Sequence, residues 1–473
     1  MNEIFVCLDL IDSTGGTQSL VLRDGTELVV YIRINTNKSK YKQMMGRANR
    51  NRRRKNLPTK QPIQDLLVIE QLESWMESVG WTSSCYLKPT IFPVTQRGLK
   101  AVNNIMPNTS LVKIPKKLLI TPLVALNSKI NFIFLKNHSY TVHSILATFI
   151  LYEKHLGNTS TWKNYLDTLP NSYTTPIFCA KIEKKIMPFI VRQKLSILSQ
   201  KIITDYEIIL KSIRESKTDG YDLCPHCKLS LIEIFSFEAY KWSYYTVNTR
   251  AIYMKNNNFN DDFKISVNEN LALAPFLDML NHSFDALVEI KPVDDISNEF
   301  YQIFTLTTIH ENSQVFINYG SHCTFKLYME YGFFIPNNPL DEIFINYSSV
   351  NNLKNISPLT NNYILWNKFH ESIGFTSSGL NYRAKVAFFI LSTPLRIIQM
   401  TKKIYCNSLN RLDALSYNVL SLKLLNTKRL ELINELKIMK SRTNKTNSFK
   451  ININVQQEYV SILDKCFYSI IHN

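Results

Sequence analysis

The sequence lacks any run of apolar residues long enough to cross a lipid bilayer. A membrane-spanning helix needs roughly 18–20 consecutive apolar residues, and no stretch of this 473-residue chain approaches that length. The early apolar residues are interrupted by Asp9 and Asp12, so no signal peptide is apparent. We therefore expect an intracellular protein with no membrane partner.

A disulfide framework is also lacking. The eight cysteines are scattered along the chain and are not clustered in a short secreted module, so we expect reduced thiols. The motif Cys224-Pro225-His226-Cys227 resembles either half of a zinc site or a redox pair. No second CxxC or HxxxH motif lies nearby to complete four zinc ligands, and a thioredoxin-like context is absent. We therefore interpret the motif as an ordinary loop and predict no metal.

Motifs of several common enzyme classes are missing. There is neither a Walker loop nor a GxGxxG motif, which leaves the usual phosphate-binding and dinucleotide-binding sites without support. No Ser or Cys motif supplies a nucleophile that is paired with a base, as a hydrolase would require. These absences argue against the usual nucleotide-dependent enzymes and hydrolases.

Acidic residues are missing from one long segment of a chain whose formal net charge is +17. No Asp or Glu lies between Glu27 and Asp65, and this interval is rich in Lys and Arg. Such a basic arm, here residues 38–60, suits nucleic acid, an acidic partner or a nuclear import receptor. The alternative is a solvated tail with no dedicated partner, because charge runs alone are weak signals.

Apolar periodicity predicts several helices and strands. Leu66, Ile69, Leu72 and Met76 fall on one stripe, which predicts an amphipathic helix over 63–80. The other predictions are, in chain order, a hairpin around Asp24-Gly25, short strands within 86–121, helices over 144–156, 184–216 and 228–255, C-terminal helices over 381–405 and 411–440, and a loose link at 441–451.

Most of the candidate site lies in one stretch, residues 271–333. Pro275 suits the first position of a helical turn, which would place Asp278 and Asn281 three residues apart on one helical face. Tyr319 follows an apolar strand and precedes a glycine, so a phenol would stand at a strand edge. From the residues alone, each feature is also consistent with an ordinary structural role.

A series of short motifs carries more information than any one of them. They are RGLKA (97–101), IPKKLLIT (114–121), WKNYLDTLPNSYTTPIF (162–178), YTVNTRAIY (245–253), LAPFLDMLNHS (273–283), VFINYG (315–320) and LYMEYGFFIPNNP (327–339). In this order they resemble the SET-domain protein methyltransferases of the class typified by plant Rubisco large-subunit methyltransferase. The resemblance covers roughly residues 66–340, and LAPFLDMLNHS and VFINYG are highly specific as a pair.

The resemblance implies an α+β fold in which the Asn-His and Tyr-Gly segments cross in a knot-like arrangement. The mostly-β SET domain would span 63–336 and would be split by a helical insertion at about 151–240. An N-terminal extension, 1–62, would carry the basic arm, and an all-α C-terminal lobe of the substrate-binding type would span 337–473.

The resemblance also implies an activity, namely that of an S-adenosyl-L-methionine-dependent protein-lysine N-methyltransferase. Its substrates would be histone or non-histone lysines, and it would act as a monomer in the nucleus and cytoplasm. Tyr319 would be the catalytic residue at the end of the lysine channel, and Tyr331 would line that channel. Thr324 stands where the family usually has asparagine, and we expect it to cap a helix start. Cofactor binding is implied for Arg97, Gly98, Leu99, Arg250, Asp278, Asn281 and His282.

Two other functions remain open at this point. One is a catalytically silent SET-fold adaptor that binds chromatin through the basic arm. The other keeps methyl transfer but changes the acceptor to histidine, because related SET proteins methylate histidine. Cofactor binding distinguishes the adaptor from the enzymes, and the identity of the methylated residue distinguishes the two enzymes.

Overall fold

The computed structural model describes most of the chain, namely residues 17–21, 27–31, 60–83, 86–135, 137–216, 224, 227–254, 264–267, 270–293, 299–348, 356–393 and 411–472. The chain divides into two compact units, Met1–Leu67 and Val68–Asn473. In the first unit, β1 (Thr17–Val21) pairs antiparallel with β2 (Glu27–Tyr31). This confirms the predicted hairpin, although its turn and the basic arm up to residue 59 lie outside the described residues.

The predicted amphipathic helix is α1 (Lys60–Ser78), which begins three residues earlier than the sequence indicated. Ile69, Leu72 and Met76 are fully buried, as their shared stripe predicts. Trp75 adds an edge-to-face contact with Trp162, at 5.7 Å between ring centroids. The apolar stripe of this helix therefore forms part of the core of the second unit.

The strands of the second unit are short and form several small sheets. They are β3 (Leu87–Phe92), β4 (Gln96–Ala101), β5 (Ser110–Pro115), β6 (Ser139–Thr141), β7 (Ile252–Tyr253), β8 (Lys264–Val267), β9 (Leu271–Ala272), β10 (Asn281–His282), β11 (Val288–Lys291), β12 (Phe300–Thr305), β13 (Gln314–Ile317), β14 (Ile343–Phe344), β15 (Gly374–Thr376) and β16 (Gly379–Leu380). The largest sheet has the order β10-β13-β4-β3. Two three-stranded sheets have the orders β11-β12-β5 and β14-β15-β16, and β6-β8 and β7-β9 form pairs.

A set of helices interrupts the strands between β5 and β7. They are α2 (Pro122–Leu126), α3 (Val142–Leu156), α4 (Lys163–Leu166), α5 (Lys181–Lys185), α6 (Phe189–Glu215), α7 (Leu231–Ile234) and α8 (Phe237–Arg250). The predicted helix over 184–216 is interrupted at Pro188, which has no N–H to donate. The predicted helix over 228–255 is also divided, because the Ser236 hydroxyl accepts from Ala239 N and begins a new helix.

Helices α3 and α8 pack against each other in the core of this insertion. The ring of His143 stacks on Tyr244 with centroids 3.9 Å apart, and its Nε2 donates to the Tyr244 carbonyl oxygen at 2.8 Å. The two helices therefore hold each other through a buried polar contact as well as through apolar packing. This contact helps to position the C-terminal end of α8, where Arg250 lies.

The C-terminal region is mainly helical. Its helices are α9 (Thr324–Lys326), which continues as a π-helix over Leu327–Tyr331, α10 (Pro358–Trp366), α11 (Tyr382–Ser392), α12 (Arg411–Ser441) and α13 (Asn447–His472). Phe375, Phe388, Leu425 and Leu463 are buried in its separate core. This confirms the predicted α+β fold with a helical C-terminal region. The expectation of an all-α lobe was wrong, because β14, β15 and β16 form a small sheet within it. The exact domain boundaries stay predictions.

The predicted loose link at 441–451 is shorter than the sequence suggested. Helix α13 already begins at Asn447, and the hydroxyl of Thr446 accepts from Phe449 N at 3.2 Å as its cap. The same hydroxyl donates to the buried carboxylate of Glu183 at 2.8 Å. A contact with the helical insertion thus ends the link early. Among the described residues, no helix has both the length and the mean hydropathy that a membrane span requires.

Candidate active site

Three distant segments of the chain meet in one sheet. Strand β10 pairs in parallel with β13, and His282 lies opposite Ile317. The other edge of β13 pairs antiparallel with β4, and Val315 lies opposite Leu99. The strands that carry two groups of predicted cofactor residues are thus joined by the strand that leads into the predicted catalytic tyrosine.

The side chain of Asn281 closes over the backbone of β4. Its Nδ2 donates to the carbonyl oxygen of Arg97 at 2.9 Å. A Cβ atom on Gly98 would lie 2.8 Å from this Nδ2 and 2.6 Å from Nε2 of Gln314. Both distances are too short for nonbonded atoms, so a side chain at this position would displace the amide groups of Asn281 and Gln314.

The segment before β10 differs from the sequence prediction. It forms a single 3-10 turn, Leu277–Met279, which follows a left-handed Phe276 with φ of 69°. Asp278 lies in this turn, whereas Asn281 belongs to the extended strand β10. The prediction that these two residues share a helical face was therefore wrong, because pairing with β13 draws the chain into a strand after one turn.

Arg250 and Asp278 form a buried ion pair. The guanidinium Nη1 lies 3.0 Å from Oδ2 of Asp278, and the exposed side-chain fractions are 16% and 1%. The hydroxyl of Tyr165 donates to the same carboxylate oxygen at 2.9 Å. Within the described part of the chain, Arg250 Nε and Asp278 Oδ1 have no hydrogen-bond partner. The two residues thus bind each other, and each retains one buried polar atom that a ligand would satisfy.

The imidazole of His282 links β10 to the chain that follows β13. Its Nδ1 accepts the backbone N–H of Tyr319 at 3.1 Å. Burial has the largest effect and lowers the pKa of His282; a backbone contact with Ile317 opposes this, and the nearby His322 adds to the lowering, so the ring is neutral at pH 7. Because Nδ1 accepts, the proton of the neutral ring lies on Nε2. No described residue accepts that proton, which leaves a buried donor without a partner.

The ring and the hydroxyl group of Tyr319 are both fixed by contacts with neighbouring residues. Its ring stacks on the imidazole of His282 with centroids 5.1 Å apart, and its hydroxyl donates to the carbonyl oxygen of Leu280 at 2.6 Å. Burial raises the pKa of Tyr319 well above the ordinary value of a phenol, so the hydroxyl stays protonated. Because the one proton is used toward Leu280, the oxygen retains lone pairs that accept hydrogen bonds.

Tyr331 lies beside Tyr319, with ring centroids 5.4 Å apart. The π-helix ends at Tyr331, and Gly332 then turns the chain with φ of 81°. A Cβ atom on Gly332 would lie 2.7 Å from the backbone nitrogen of Thr175, so glycine permits both the turn and the close packing. Burial, followed by Glu330, raises the pKa of Tyr331 to about 12, and this second phenol is also uncharged.

A cavity of about 150 Å³ is lined by Tyr319, Tyr331, Arg250 and Asp278. The rest of its wall combines polar groups, such as those of Thr249 and Asn318, with the apolar and aromatic side chains of Tyr253, Leu280, Ile290, Tyr301, Ile303 and Ile317. The other predicted residues, on β4 and β10, lie outside this wall. The candidate site therefore has two parts, a sheet surface and a cavity, and Tyr319 belongs to both because it lines the cavity and stacks on His282.

Two cavity tyrosines were absent from the predicted site. The hydroxyl of Tyr301 donates to the carbonyl oxygen of Tyr253 at 3.1 Å, and burial raises the pKa of Tyr301 to about 12. Tyr253 ends the motif YTVNTRAIY, so its motif was a usable signal. Tyr301 lies on β12, within a segment that carries none of the motifs, and only the folded chain brings it to the cavity.

Thr324 does not cap a helix as we expected. It is the first residue of α9 and follows Cys323 at the cap position. Its backbone nitrogen donates to Oδ1 of Asp341 at 2.6 Å, while its own hydroxyl is buried with no partner among the residues described. The cap thus comes from a carboxylate that lies 17 residues later in the chain.

Comparisons with known proteins agree with this architecture. A family model described as the SET domain matches residues 96–320. The SET domain-containing protein 4 of Artemia parthenogenetica is 30% identical over 334 residues, which cover 69% of this chain and 79% of that protein. The Mus musculus protein of the same name is 30% identical over 274 residues, and the match covers 57% of this chain and 59% of that protein.

A more distant relative and a solved structure widen the comparison. The actin-histidine N-methyltransferase of Mus musculus is 26% identical over 251 residues, covering 52% of this chain and 39% of that protein. A crystal structure of the SET domain of LSMT bound to lysine and AdoHcy is similar with a TM-score of 0.55 and 15% identity. That similarity covers 88% of this chain and 92% of the other, and it shows a shared fold.

Proposed function

The chain belongs to the SET-domain family, and from this premise we propose that it is an S-adenosyl-L-methionine-dependent protein methyltransferase whose acceptor is a lysine side chain. The observation that carries the proposal is the cavity lined by Tyr319, Arg250 and Asp278, next to the sheet surface that carries His282. Arg250 Nε, Asp278 Oδ1 and His282 Nε2 are buried without partners among the described residues. A cavity for an acceptor and a surface for a cofactor, which meet at one tyrosine, are what a transfer between two bound molecules requires.

The residues implied for the cofactor fit a ligand with several polar groups, and two of them, Arg250 and Asp278, also line the cavity. Arg250 Nε and His282 Nε2 are buried donors, and Asp278 Oδ1 is a buried acceptor; none has a partner among the described residues. Each such orphan costs roughly 1–3 kcal/mol, and a ligand would recover that energy. Arg250, Asp278 and His282 would hold the cofactor together with Arg97, Gly98, Leu99 and Asn281. When bound, the cofactor supplies a methyl group already activated on a sulfonium, without a metal.

The cavity side suits the neutral amine of a lysine. Free lysine has a pKa of about 10.4, so its deprotonation at pH 7 costs about 4.6 kcal/mol. The apolar and aromatic side chains in the mixed wall disfavour the charged form and thereby reduce that cost. The acidic residue in the wall, Asp278, would oppose this effect, but the guanidinium of Arg250 already neutralises it. The ion pair thus prevents a buried carboxylate from stabilising the ammonium form.

Tyr319 would orient the acceptor amine. Its proton is donated to the carbonyl oxygen of Leu280, which leaves the phenol oxygen to accept an N–H of the amine. The contact with His282 fixes the ring, so the acceptor oxygen has one position. Holding two reactants in productive geometry can supply ~7–11 kcal/mol of the barrier, and this is the principal contribution that we assign to the tyrosine.

The proposal is tested by cofactor titration and by a methyl-transfer screen. The purified full chain should bind S-adenosylmethionine in isothermal titration calorimetry. It should also transfer radiolabelled methyl groups to a protein in a panel of histones and cell extract. No binding at millimolar cofactor would favour the catalytically silent chromatin adaptor instead.

A histidine acceptor is the second candidate, and the similarity to actin-histidine N-methyltransferase is the observation that favours it. A neutral imidazole needs no deprotonation at pH 7, so desolvation in the cavity would confer less advantage on it than on lysine. Mass spectrometry of the labelled product distinguishes the two, because the methyl group would lie on an imidazole nitrogen and not on a lysine amine.

The remaining features of the proposal concern substrate and location. We propose histone or non-histone proteins as substrates, a monomeric enzyme, and a location in the nucleus and cytoplasm directed by the basic arm, residues 38–60. Deletion of 38–59 removes all but the last residue of the arm and leaves α1 (Lys60–Ser78) complete. An unchanged distribution of that deletion variant between nucleus and cytoplasm would refute the assigned role of the arm, and analytical ultracentrifugation tests the monomer.

A further inference from the structure

We propose that His155, Cys224 and Cys227 bind a zinc ion at a site separate from the cavity. One ligand atom from each residue, an imidazole nitrogen or a sulfur, lies within 4.8 Å of the other two. The Cys227 Sγ lies 3.2 Å from Nε2 of His155. The sequence alone showed only two ligands in the CxxC motif, and the folded chain supplies the third.

The three ligands come from two elements that the fold brings together. His155 lies in the last turn of α3, and the two cysteines lie in the turn that precedes α7. That turn is closed by its own backbone, because Cys224 N donates to the Leu229 carbonyl oxygen at 2.8 Å and Lys228 N donates to the Cys224 carbonyl oxygen at 2.9 Å. Lys228 has φ of 60°, a left-handed conformation. The chain thus reverses directly after Cys227, which keeps the two sulfurs close together.

The spacing of the ligand atoms fits tetrahedral zinc. With Zn–S near 2.3 Å and Zn–N near 2.0–2.1 Å, a tetrahedron places sulfur and nitrogen about 3.5 Å apart and the two sulfurs about 3.8 Å apart. The observed separations are 3.2 Å for one sulfur–nitrogen pair and at most 4.8 Å for all pairs. Small side-chain adjustments bring all three atoms onto one ion.

The chemistry of the ligands selects the kind of metal. Two thiolates and one imidazole are soft or borderline ligands, which suit zinc and disfavour magnesium and calcium. The sulfur of Cys224 is buried and that of Cys227 is exposed, and both residues are thiols. Three protein ligands leave the fourth tetrahedral position for a water molecule on the exposed side.

The expected role of the ion is structural. It would join the end of α3 to the turn that leads into α7 and α8, and α3 already packs against α8 through His143 and Tyr244. The three proposed ligands are not part of the described cavity wall. Because the ion binds only the folded chain, it should raise the melting temperature without altering cofactor affinity.

The test uses the full chain without a histidine tag. The protein is incubated with zinc under reducing conditions, passed through a desalting column and analysed for metal by plasma mass spectrometry. A parallel sample is loaded with cobalt, whose near-ultraviolet charge-transfer band reports thiolate ligation directly. Cys227→Ser and His155→Ala remove one ligand each. Cys323→Ser and His310→Ala are matched controls that remove a cysteine and an exposed histidine elsewhere.

We expect one zinc ion per chain and a thiolate–cobalt band in the wild-type protein and in both controls. Both signals should be lost in Cys227→Ser and His155→Ala, and zinc should raise the melting temperature only where it binds. The proposal is overturned if the wild-type chain retains no zinc and shows no cobalt band, whether its thiols stay reduced or form a disulfide. Equal retention by either ligand variant would also overturn it. If a variant fails to fold, the presence or absence of the cobalt band in the wild-type protein supports or overturns the zinc site. No readout depends on methyl transfer.

Discussion

Replacement of Tyr319 by phenylalanine isolates the hydroxyl group from the ring that carries it. The variant keeps the stack on His282, which involves only the ring. It removes the hydrogen bond to the Leu280 carbonyl oxygen, whose length is 2.6 Å, and it removes the proposed acceptor for the substrate amine. Tyr319→Phe should therefore lower the rate of methyl transfer while leaving the cofactor surface nearly intact.

The size of the effect follows from the contacts that are lost. Removal of one preorganised polar contact at a reacting centre typically lowers kcat by about 10²–10³. The Leu280 carbonyl would be left buried without a partner, which costs roughly 1–3 kcal/mol of unfolding free energy. Both effects come from one hydroxyl, so the two must be separated by a control.

Tyr206→Phe is the matched control. The Tyr206 hydroxyl also donates to a backbone carbonyl oxygen, that of Phe235, at 2.7 Å, but Tyr206 does not contribute to the described wall of the cavity. Its loss should cost similar stability and leave turnover unchanged. Single-turnover transfer of labelled methyl groups, with thermal denaturation of both variants, is the assay. Wild-type turnover by Tyr319→Phe, or an equal loss in Tyr206→Phe, would refute the assigned role.

Three further predictions follow from neighbouring contacts. Gly98→Ala should weaken cofactor binding in titration calorimetry, because its Cβ would lie 2.8 Å from Nδ2 of Asn281; unchanged affinity would contradict this. Arg250→Leu should cost about 3–5 kcal/mol of stability because Asp278 is left buried and unpaired, and the double variant with Asp278→Leu should recover much of it in thermal denaturation. Burial places the pKa of folded His282 below the unfolded value of 6.5. The neutral ring therefore contributes fully to stability above pH 6.5. That contribution is lost as pH falls through the folded pKa, because the unfolded chain binds the proton first. His282→Asn, whose amide oxygen can still accept a backbone N–H, should therefore flatten the dependence of the melting temperature on pH below 6.5, and an unchanged slope would refute this.

The periodicity of apolar residues predicted helices whose buried face is visible within one stretch of the sequence. The stripe of Ile69, Leu72 and Met76 predicted α1 because one buried helical face has a period of 3.6 residues. Pairing between strands that are distant in sequence produces no such periodic pattern. The resemblance implied that the Asn-His and Tyr-Gly segments cross, but the parallel pairing of β10 with β13 was not predicted, since neither strand is long enough to carry a periodic signal.

Interactions between side chains that are distant in sequence were the hardest to predict. Arg250 and Asp278 were each identified as candidate cofactor residues, but nothing in their spacing indicated that they would form an ion pair. The sequence near Cys224 and Cys227 offers no complete set of zinc ligands, because His155 lies 72 residues before Cys227. A sequence shows which residues are present, and only the packing of α3 against the later helices shows which of them meet.

We propose that this chain transfers a methyl group to a lysine amine in the cavity beside Tyr319. The most direct test incubates the full chain with isotopically labelled S-adenosylmethionine and a protein extract, followed by mass spectrometry of the labelled residues. We predict labelled methyl-lysine that is strongly reduced with Tyr319→Phe and retained with Tyr206→Phe. Label found only on histidine, or label on lysine that is undiminished in Tyr319→Phe, would contradict the claim.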